Sequence, residues 1–358
     1  MGVTTVRLAV IPGDGIGPEV VREGMRVLDA VGEVEGGLKF EYTFFPWGCQ
    51  YYVEHGQMMP ADGLQILSDF DHIFLGAVGW PSVPDHVSLW GLLLPIRRGF
   101  QQYVNLRPVK LLRGVTSPLR GYPPRQIDFV VVRENTEGEY SNMGGRLHSG
   151  QPYEVVVQNS VFTRVGTERI IDYAFALANR SRKNLVGATK SNGINYTMPF
   201  WDEVFRTIGG RYPEVNARLM HADALAAQFL LRPDAFDVVV ASNLLGDLLT
   251  DLGGAIQGSI GMAPAANINP TGQVPCMFEP VHGSAPDIAG RGIANPVGQI
   301  WSAKLLLDHI GQTKLGELVL AAIEKTLEAG CRTPDLGGTA RTTDVGDAIV
   351  AQVRQATG

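Results

Sequence analysis

Short runs of branched apolar residues alternate with longer amphipathic segments along this chain of 358 residues. The runs TVRLAVIP, HIFLGAVGW, IDFVVVREN and FDVVVASN have the composition of buried strands and end in polar or glycine-rich sequence. Between them, segments such as ERIIDYAFALANRS, MPFWDEVFRTIGG and LGELVLAAIEKTLEAG carry apolar residues at helical spacing. This alternation predicts an α/β architecture, and the length allows two to three domains or one large two-part fold.

Charge and composition exclude several classes of partner. A formal charge of −6 argues against a general binder of nucleic acid or membrane surfaces, which would carry a basic stripe. No apolar run is long enough to span a bilayer, and the first residues do not resemble a signal peptide. Cys49, Cys276 and Cys331 are odd in number and form no CxxC pair, so we predict reduced packing thiols in a cytoplasmic protein.

Two acids, Asp247 and Asp251, lie four residues apart in the otherwise apolar run SNLLGDLLTDLGG, residues 242–254. On a helix this spacing places both carboxylates on one face, where their charges repel and where burial without a partner is costly. A third acid, Asp223, lies upstream. Solvated helix acids are the alternative, but three carboxylates without a neighbouring His or Cys favour Mg²⁺ or Mn²⁺ over zinc.

Arginines form a second group of candidates: Arg97 and Arg98 in LLLPIRRGF, Arg107 in VNLRP and Arg133 in VVREN. Guanidinium groups bind carboxylates through paired hydrogen bonds, although most surface arginines are only solvated. Arg133 has the stronger case because it ends an apolar strand, where α/β sheets bind ligands. Tyr140 and Lys190 are candidate proton carriers, with a packing tyrosine and a surface lysine as the alternatives.

Two glycine-rich segments complete the set of candidates. In GDGIGPE, residues 13–19, the third glycine comes one residue too early for a Rossmann dinucleotide fingerprint, so we interpret the segment as a tight turn that lines a site. The segment EPVHGSAPDIAGRGIANP, residues 279–296, is long and irregular, which in a compact protein is typical of a functional loop. Its own sequence does not identify a ligand.

Together these motifs resemble the metal-dependent β-decarboxylating dehydrogenases, the family of isocitrate, 3-isopropylmalate, tartrate and D-malate dehydrogenases. The resemblance extends from about residue 6 to about residue 345 and follows the order GDGIGPE, the arginine segments, RENTEGEY, ATKSNG, an aspartate, NLLGDLLTD and EPVHGSAPDIAGRGIANP. Within the family, GAVGWPSVPDHVSLWG and NPTGQVPCMFEPVHGSAPDIAG look most like the tartrate and D-malate dehydrogenase group.

The resemblance implies the two-domain isopropylmalate-dehydrogenase-like fold, which is not a Rossmann fold. A discontinuous large domain would comprise residues 1–102 and 260–358, and a central domain of residues 103–259 would carry dimer contacts and metal ligands. The active-site cleft would lie between the domains. In the family, Lys190 and Asp223 would come from the second subunit, so the resemblance also implies a homodimer with shared sites.

Family roles are carried over to the residues that match the motifs. Tyr140 and Lys190 would be the catalytic acid and base, and Arg97, Arg107 and Arg133 would hold the substrate. Asp223, Asp247 and Asp251 would bind Mn²⁺ or Mg²⁺, and a requirement for K⁺ is left open.

The resemblance also implies a cofactor. The family's adenosine loop matches His282, Gly283, Ser284, Ala285, Asp287, Ile288 and Asn295. NADP-using relatives have a Lys-Tyr pair where this chain has Asp287 and Ile288. Since Asp287 can accept the ribose 2′-hydroxyl and repel a 2′-phosphate, NAD is the expected cofactor.

The implied reaction is oxidation, or oxidative decarboxylation, of a small 2-hydroxy dicarboxylic acid, with tartrate or D-malate preferred. The main alternative is 3-isopropylmalate dehydrogenase, for which Leu93, Leu94 and Ile96 could partly supply an apolar pocket. Against it, Trp90 stands where isopropylmalate enzymes usually have a glutamate.

Substrate identity stays open at two departures from the tartrate and D-malate group. Pro95 and Ile96 replace a Lys-aromatic pair before the arginines, and the GWPSVPDH loop is one residue shorter. Both departures lie where the variable end of the substrate should sit.

Three further classes fit the sequence less well. Isocitrate enzymes usually have a Ser-Asn pair before the arginines, and this chain lacks one. A non-catalytic subunit on the same fold would typically have lost some of the residues named above. An Mg²⁺-dependent DxxxD enzyme that acts on diphosphates would need a second acidic motif, which the sequence does not contain.

Overall fold

A ten-stranded mixed sheet forms the centre of the molecule in the computed structural model, which describes residues 3–356. A separate two-stranded hairpin projects from it. The strands are β1 Thr4–Gly13, β2 Leu38–Phe44, β3 His72–Ala77, β4 Val104–Lys110, β5 Asp128–Glu134, β6 Gly144–Leu147, β7 Val155–Gln158, β8 Asn184–Thr189, β9 Asn216–His221, β10 Val238–Ala241, β11 Pro264–Ile268 and β12 Cys276–Pro280.

Helices connect most of these strands, as the alternating sequence pattern predicts. They are α1 Gly17–Glu35, α2 Cys49–His55, α3 Gly63–Leu67, α4 Asp85–Ser88, α5 Leu94–Gly99, α6 Arg164–Arg180, α7 Thr197–Gly209, α8 Ala222–Leu231, α9 Asn243–Ile256, α10 Val297–His309, α11 Thr313–Glu328 and α12 Thr342–Gln355. Within residues 3–356, no helix combines the length and the apolar character that crossing a membrane requires.

The strand order in the large sheet is β2-β1-β3-β12-β11-β4-β5-β10-β8-β9. The first four of these strands are parallel, and so are the last four. Between them, β11 and β4 pair antiparallel with each other and with their outer neighbours, so the two parallel halves run in opposite directions. The carboxyl ends of the strands in the two halves therefore lie at opposite edges of the sheet. In a fully parallel sheet they would all lie at one edge.

Alternating residues of the central strands pack on opposite faces of the sheet. In β1, Leu8 and Val10 belong to the larger hydrophobic cluster, whereas Ala9 and Ile11 belong to a smaller one beneath α2, α3 and α5. This is the two-residue period expected of a strand that is covered on both faces. The larger cluster continues through the central strands, including the fully buried residues of β10.

Helix α1 shows how local sequence sets an element. Pro18 lies in its first turn, where a missing N–H costs no helical hydrogen bond. The helix ends at Gly36, which has a φ of 69° and donates its backbone N–H to the carbonyl of Gly32. The predicted strand, turn and helix from TVRLAVIP onward are thus confirmed.

The helical segment from Asp85 to Gly99 is irregular in its middle. Its five central residues, Leu89–Leu93, form a π-helix between α4 and α5, with helical dihedral angles at both junctions. Pro95 lies in the first turn of α5, directly after this segment. A π-turn holds one residue more than an α-turn, and such bulges are frequent at functional sites.

The predicted division into domains coincides with a feature of the sheet. The strands from residues 1–102 and 260–358 make up one half of the sheet, and those from residues 103–259 make up the other half. One continuous hydrophobic cluster includes residues of both halves. The division into two domains stays a prediction.

Phe74 in β3 offers a test of this packing. It is fully buried and packs so closely on α1 that a Cβ added to Gly24 would lie 2.8 Å from its ring. We expect Phe74→Ala to lower the free energy of unfolding by about 3–5 kcal/mol, because the cavity cannot collapse fully. The matched control is Phe44→Ala in β2, whose side chain is 57% exposed and whose loss should cost no more than about 0.5 kcal/mol. Urea unfolding measures both, and equal losses would contradict the packing described.

Candidate active site

A cleft of about 640 Å³ lies over the junction of the two half-sheets. It brings together residues of β3, β4, β5, β12, α5 and α9. Its polar side chains are Arg97, Arg107, Arg133, Tyr140, Asp247, Glu279 and His282. The remaining lining is mostly apolar, with Leu75, Val78, Leu89, Leu93 and Val281 among its residues.

Asp247 is the negative centre of the cleft. Its Oδ1 accepts hydrogen bonds from Arg133 Nη1 at 2.5 Å and from Arg107 Nη1 at 3.2 Å, and its Oδ2 accepts one from the Tyr140 hydroxyl at 2.8 Å. Arg133 and Arg107 are only 2% and 6% exposed. Since a buried cation is costly without a partner, these two ion pairs fix both guanidinium groups.

Helix α9 approaches β5 closely because it carries glycine and asparagine beside the acid. A Cβ on Gly246 would lie 2.7 Å from Cγ of Arg133, so a larger residue would push the helix away from that side chain. Asn243, one turn earlier, accepts hydrogen bonds from Nε and Nη2 of Arg133 at 3.2 and 2.8 Å. Residues of α9 thus accept hydrogen bonds from all three guanidinium nitrogens of Arg133 and orient the group.

The two acids of α9 differ in environment. Asp251 is exposed, whereas the side chain of Asp247 is 33% exposed. Burial disfavours the charged form of Asp247, but Arg133 and Arg107 outweigh that effect and hold its pKa below the usual value. The pKa of Asp251 is raised by partial desolvation and by the charge of Asp247. Asp247 thus has two protein countercharges, Arg107 and Arg133, which the spacing of the two acids in the sequence does not reveal.

Tyr140 keeps its proton in this setting. Burial, together with the charge of Asp247 and the hydrogen bond to it, raises the pKa of Tyr140 to about 12. The phenol is therefore a hydrogen-bond donor at neutral pH. Arg133 also faces its ring, with Cζ 5.6 Å from the ring centroid.

Arg97 has a different counterion, Glu279. Arg97 Nη2 donates to Glu279 Oε1 at 2.6 Å, and the same oxygen accepts from Asn267 Nδ2 at 2.8 Å. Among the described residues, the buried Nε of Arg97 has no hydrogen-bond partner. Glu279 is the first residue of the 279–296 segment, and the sequence predicts no role for it. It is an ionisable residue at the end of the apolar strand CMF, the same signal that identified Arg133.

Lys190 and Asp223 lie together, but apart from the cleft. Lys190 Nζ is 3.0 Å from Asp223 Oδ2, and the two side chains are 33% and 67% exposed. Neither residue is among the described residues that line the cleft. Within one chain, the structure therefore brings together the three predicted arginines, Tyr140 and Asp247, but not the lysine and the third acid.

A second cavity of about 620 Å³ lies next to the cleft. Four residues of the predicted cofactor loop line it: His282, Ala285, Ile288 and Asn295. Further lining comes from Ile16 in the first glycine-rich turn and from Asp335, which accepts a hydrogen bond from Asn295 Nδ2 at 2.9 Å. Gly283 lines the first cleft instead, while Ser284 is buried in the loop and Asp287 is exposed.

The glycine-rich turn supports this loop directly. Gly15 has a φ of 59°, and a Cβ at its position would lie 1.9 Å from the carbonyl oxygen of Ser284. That same carbonyl accepts a hydrogen bond from the N–H of Ile16 at 2.9 Å. GDGIGPE is thus a tight turn against the 281–296 segment, as the sequence predicts.

His282 connects the two cavities, because its side chain lines both. Burial lowers its pKa, so the imidazole is neutral at pH 7. Its Nδ1 is 2.9 Å from the carbonyl oxygen of Gly283, and its buried Nε2 has no partner within residues 3–356. The geometry suits two adjacent ligands, one anionic and one with a large apolar part.

Comparison with known proteins identifies the family. Residues 7–349 match the model of the isocitrate/isopropylmalate dehydrogenase family. The chain belongs to this family.

Several members of the family are similar over their whole lengths. A probable tartrate dehydrogenase/decarboxylase of Bacillus subtilis is 55% identical over 97% of this chain and 98% of its own. A decarboxylating D-malate dehydrogenase of Escherichia coli is 54% identical over 96% of this chain and 98% of its own. Among solved structures, isocitrate dehydrogenase from Methylococcus capsulatus covers 98% of this chain and 100% of its own, with a TM-score of 0.88 and 32% identity.

The predicted fold and the predicted resemblance to isocitrate/isopropylmalate dehydrogenases are both confirmed by these matches. Family membership does not by itself assign roles to side chains. The roles predicted for the arginines, Tyr140, Lys190, the three acids and the cofactor loop stay predictions at this point.

The two acids of α9 should respond in opposite ways to neutralisation in protein freed of divalent metal. We expect Asp247→Asn to lower the urea midpoint at pH 7, because it leaves Arg107 and Arg133 buried without a counterion, at a cost of about 3 kcal/mol. Asp251→Asn should leave the midpoint unchanged or raise it.

The signs of these effects follow from the two pKa shifts. The depressed pKa of Asp247 stabilises the fold above its unfolded pKa, and this contribution is lost as the pH falls through the folded value. The raised pKa of Asp251 destabilises the fold at neutral pH, and that penalty disappears as the pH falls through its folded pKa. Equal destabilisation by the two substitutions at pH 7 would contradict this arrangement.

Proposed function

We propose that this protein is an NAD- and divalent-metal-dependent dehydrogenase that oxidises and decarboxylates a small 2-hydroxy dicarboxylic acid, with D-malate or tartrate as the substrate. The observation that carries the proposal is the cleft with three convergent arginines beside a cavity lined by the 281–296 segment. The names of the relatives at 54–55% identity support the substrate class.

The charges of the cleft favour a dianion. Three arginines face two carboxylates there, so one net positive charge remains before any metal binds. Arg97 retains a buried, unpaired Nε that a substrate carboxylate could satisfy. Buried guanidinium groups bind carboxylates with paired, charge-assisted hydrogen bonds. Arg97, Arg107 and Arg133 are accordingly the proposed substrate ligands.

The proposed metal ligands are Asp247, Asp251 and Asp223. Their hard oxygen donors suit Mg²⁺ or Mn²⁺, and each carboxylate of α9 has lone pairs left beyond its hydrogen bonds. When bound, the ion would stabilise negative charge that develops on the C2 oxygen of the substrate. Asp251, exposed and with a raised pKa beside Asp247, would gain most from a cation.

The residues of the chain account for the proton transfers. Lys190 would accept the proton of the C2 hydroxyl, and NAD, when bound, would supply the hydride acceptor, so that the substrate would become a 2-oxo acid. The bond between C3 and its carboxylate would then break, CO₂ would leave, and the electron pair would form an enolate across C3, C2 and the C2 oxygen. Tyr140, which holds its proton at neutral pH, donates that proton to C3. From D-malate the products are pyruvate, CO₂ and NADH.

NAD is the proposed cofactor, bound with its adenosine in the second cavity. Ile16, Ile260 and Ile288 supply apolar contact for a planar base, while Asn295 and Asp335 supply polar groups at its edge. Asp287 lies exposed on the same loop, where a carboxylate can accept from a ribose hydroxyl but repels an added phosphate. His282, between the two cavities, would lie near the nicotinamide half.

A homodimer with shared sites is part of the proposal. The hairpin β6–β7 has eight exposed residues, with Val156 and Leu147 more than 60% exposed, and Tyr196 near Lys190 is 89% exposed. Apolar surface of this kind marks an interaction face. A second copy that covers this surface would bring Lys190 and Asp223 to the other chain's cleft. This arrangement would explain why neither residue lines the cleft of its own chain.

A K⁺ requirement rests on the family resemblance alone. A cytoplasmic location is supported by three cysteines that are free thiols. The alternative substrate, 3-isopropylmalate, is favoured by one observation, the two leucines Leu89 and Leu93 in the cleft lining.

The function is tested by following NADH formation with D-malate, L-tartrate, meso-tartrate and 3-isopropylmalate side by side, with Mn²⁺ and K⁺ present. We expect kcat/KM for D-malate or a tartrate to exceed that for 3-isopropylmalate by at least about tenfold, since the arginines and a metal select a small polar acid. Activity with NADP should be lower, and EDTA should abolish turnover. A faster reaction with 3-isopropylmalate, or full activity in EDTA, would contradict the proposal.

Shared sites can be tested by mixing two inactive variants. Lys190→Met and Tyr140→Phe homodimers should each lose activity by about 10²-fold or more, since each lacks one proton carrier. After co-expression, half of the dimers are mixed and each holds one intact site, so we expect about a quarter of wild-type activity to return. If both residues acted within one chain, mixing would restore nothing.

A further inference from the structure

Three residues of types that bind borderline and soft metals, two histidines and one cysteine, meet outside the cleft. His72 is the first residue of β3, Cys276 is the first residue of β12, and His309 is the last residue of α10. His72 and Cys276 are register partners on adjacent parallel strands. One ligand atom from each of the three residues lies within 4.8 Å of the other two. We refer to these residues as the His–Cys–His cluster.

One nitrogen of the cluster lacks a partner. The Nδ1 atom of His72 is buried and accepts or donates no hydrogen bond within the described residues. Such an atom loses its hydration without compensation, so it points to a missing partner. The ring itself is held in place, edge-on to Phe278 at 5.7 Å and to His309 at 5.1 Å between centroids.

Burial raises the pKa of the Cys276 thiol to about 11, so only the binding of an ion would deprotonate it at neutral pH. Cys276 is fully buried and forms no disulfide. Its Sγ has only weak contacts with the backbone of Asn269, at 3.4 Å to the amide nitrogen and 3.8 Å to the carbonyl oxygen. The sequence predicts a packing role for Cys276 because the three cysteines are odd in number and form no CxxC pair.

The chemistry of this donor set differs from that of the cleft. Burial lowers the pKa of His72 to about 4 and also lowers that of His309, so both imidazoles keep a free lone pair at neutral pH. Two imidazoles and one thiolate select zinc and other borderline metals, whereas the carboxylates of the cleft suit Mg²⁺ or Mn²⁺. A tetrahedral ion would draw the three donor atoms to about 3.5 Å from each other, closer than the 4.8 Å within which they lie here.

We propose that His72, Cys276 and His309 bind one Zn²⁺ ion, with water in the fourth position. Binding deprotonates Cys276: the S–H bond breaks, a Zn–S bond forms, and the proton passes to solvent. The ion links α10 to the first residues of β3 and β12. The opposite ends of these two strands, at Leu75–Val78 and Glu279–Gly283, form walls of the cleft. The ion would therefore have a structural role, in which it holds α10 against β3 and β12 outside the proposed catalytic centre.

Cobalt reports directly on this site. Metal-free protein is first saturated with Mg²⁺, so that the carboxylates of the cleft are occupied, and is then titrated with Co²⁺. We expect a near-ultraviolet band of thiolate-to-cobalt charge transfer that saturates at one ion per chain. The band should be absent in Cys276→Ser and retained in Cys49→Ser, which changes the other fully buried thiol. A wild-type protein without the band, or a band that survives Cys276→Ser, would overturn the proposal.

Two further measurements keep the test decisive if Cys276→Ser does not fold. His309→Phe retains the thiol and should raise the Kd for Co²⁺ by at least about tenfold, whereas His55→Phe, a change in an exposed histidine, should not. X-ray absorption of wild-type protein loaded with one Zn²⁺ should show one sulfur at about 2.3 Å and two imidazole nitrogens at about 2.0 Å. A spectrum without sulfur, or equal Kd values for the two histidine variants, would exclude zinc binding by the cluster.

Discussion

The ion pairs of Asp247 constrain more of this molecule than any other contact in the site. Arg107 and Arg133 come from neighbouring strands, both lie almost fully out of solvent, and both form an ion pair with this one carboxylate. Burial of either guanidinium without it would be costly, because the desolvation of a cation would then lack the compensating charge of a counterion. Helix α9 must therefore lie close to β5, and Gly246 permits that approach. The polar half of the cleft is in this sense a single electrostatic unit, to which Tyr140 is attached through its hydroxyl.

The antiparallel centre of the sheet explains why such a unit can meet the cofactor loop. In a wholly parallel sheet, ligand-binding loops gather along one edge. Here the direction of the strands reverses between β12 and β5, so side chains from strands of both halves reach the same cleft. Residues 1–102 and 260–358, the terminal half, contribute Arg97 and Glu279 to the cleft. Residues 103–259, the central half, contribute Arg107, Arg133 and Asp247. The terminal half is neutral, with one arginine and one carboxylate, whereas the central half keeps one net positive charge from two arginines and one carboxylate.

Much of this arrangement could be predicted from sequence, and the limits have physical causes. The strand at IDFVVVREN, the helix at NLLGDLLTD and the tight turn at GDGIGPE follow from local periodicity and glycine placement, and all three are present. The pairing of Arg107 and Arg133 with Asp247 could not be predicted, because these residues are more than a hundred positions apart and the contact depends on strand order. The different exposure of the two acids could not be predicted either. Asp247 and Asp251 share a helical face, yet only Asp247 lies against the arginines. The His–Cys–His cluster depends on strand register, which local patterns do not encode.

The π-helical segment Leu89–Leu93 provides a way in which an enzyme of this fold could change its substrate preference. Leu89 and Leu93 face the cleft, whereas Arg97 further along the same continuous helix is anchored by Glu279. Deleting one residue from the widened turn would restore ordinary helical hydrogen bonding and rotate every preceding side chain by about 100° about the helix axis, with the arginine left in place. A single-codon gain or loss could therefore exchange the side chains that meet a ligand's far end without disturbing the groups that hold its carboxylates. Evolution of selectivity at this helix need not proceed by substitution alone.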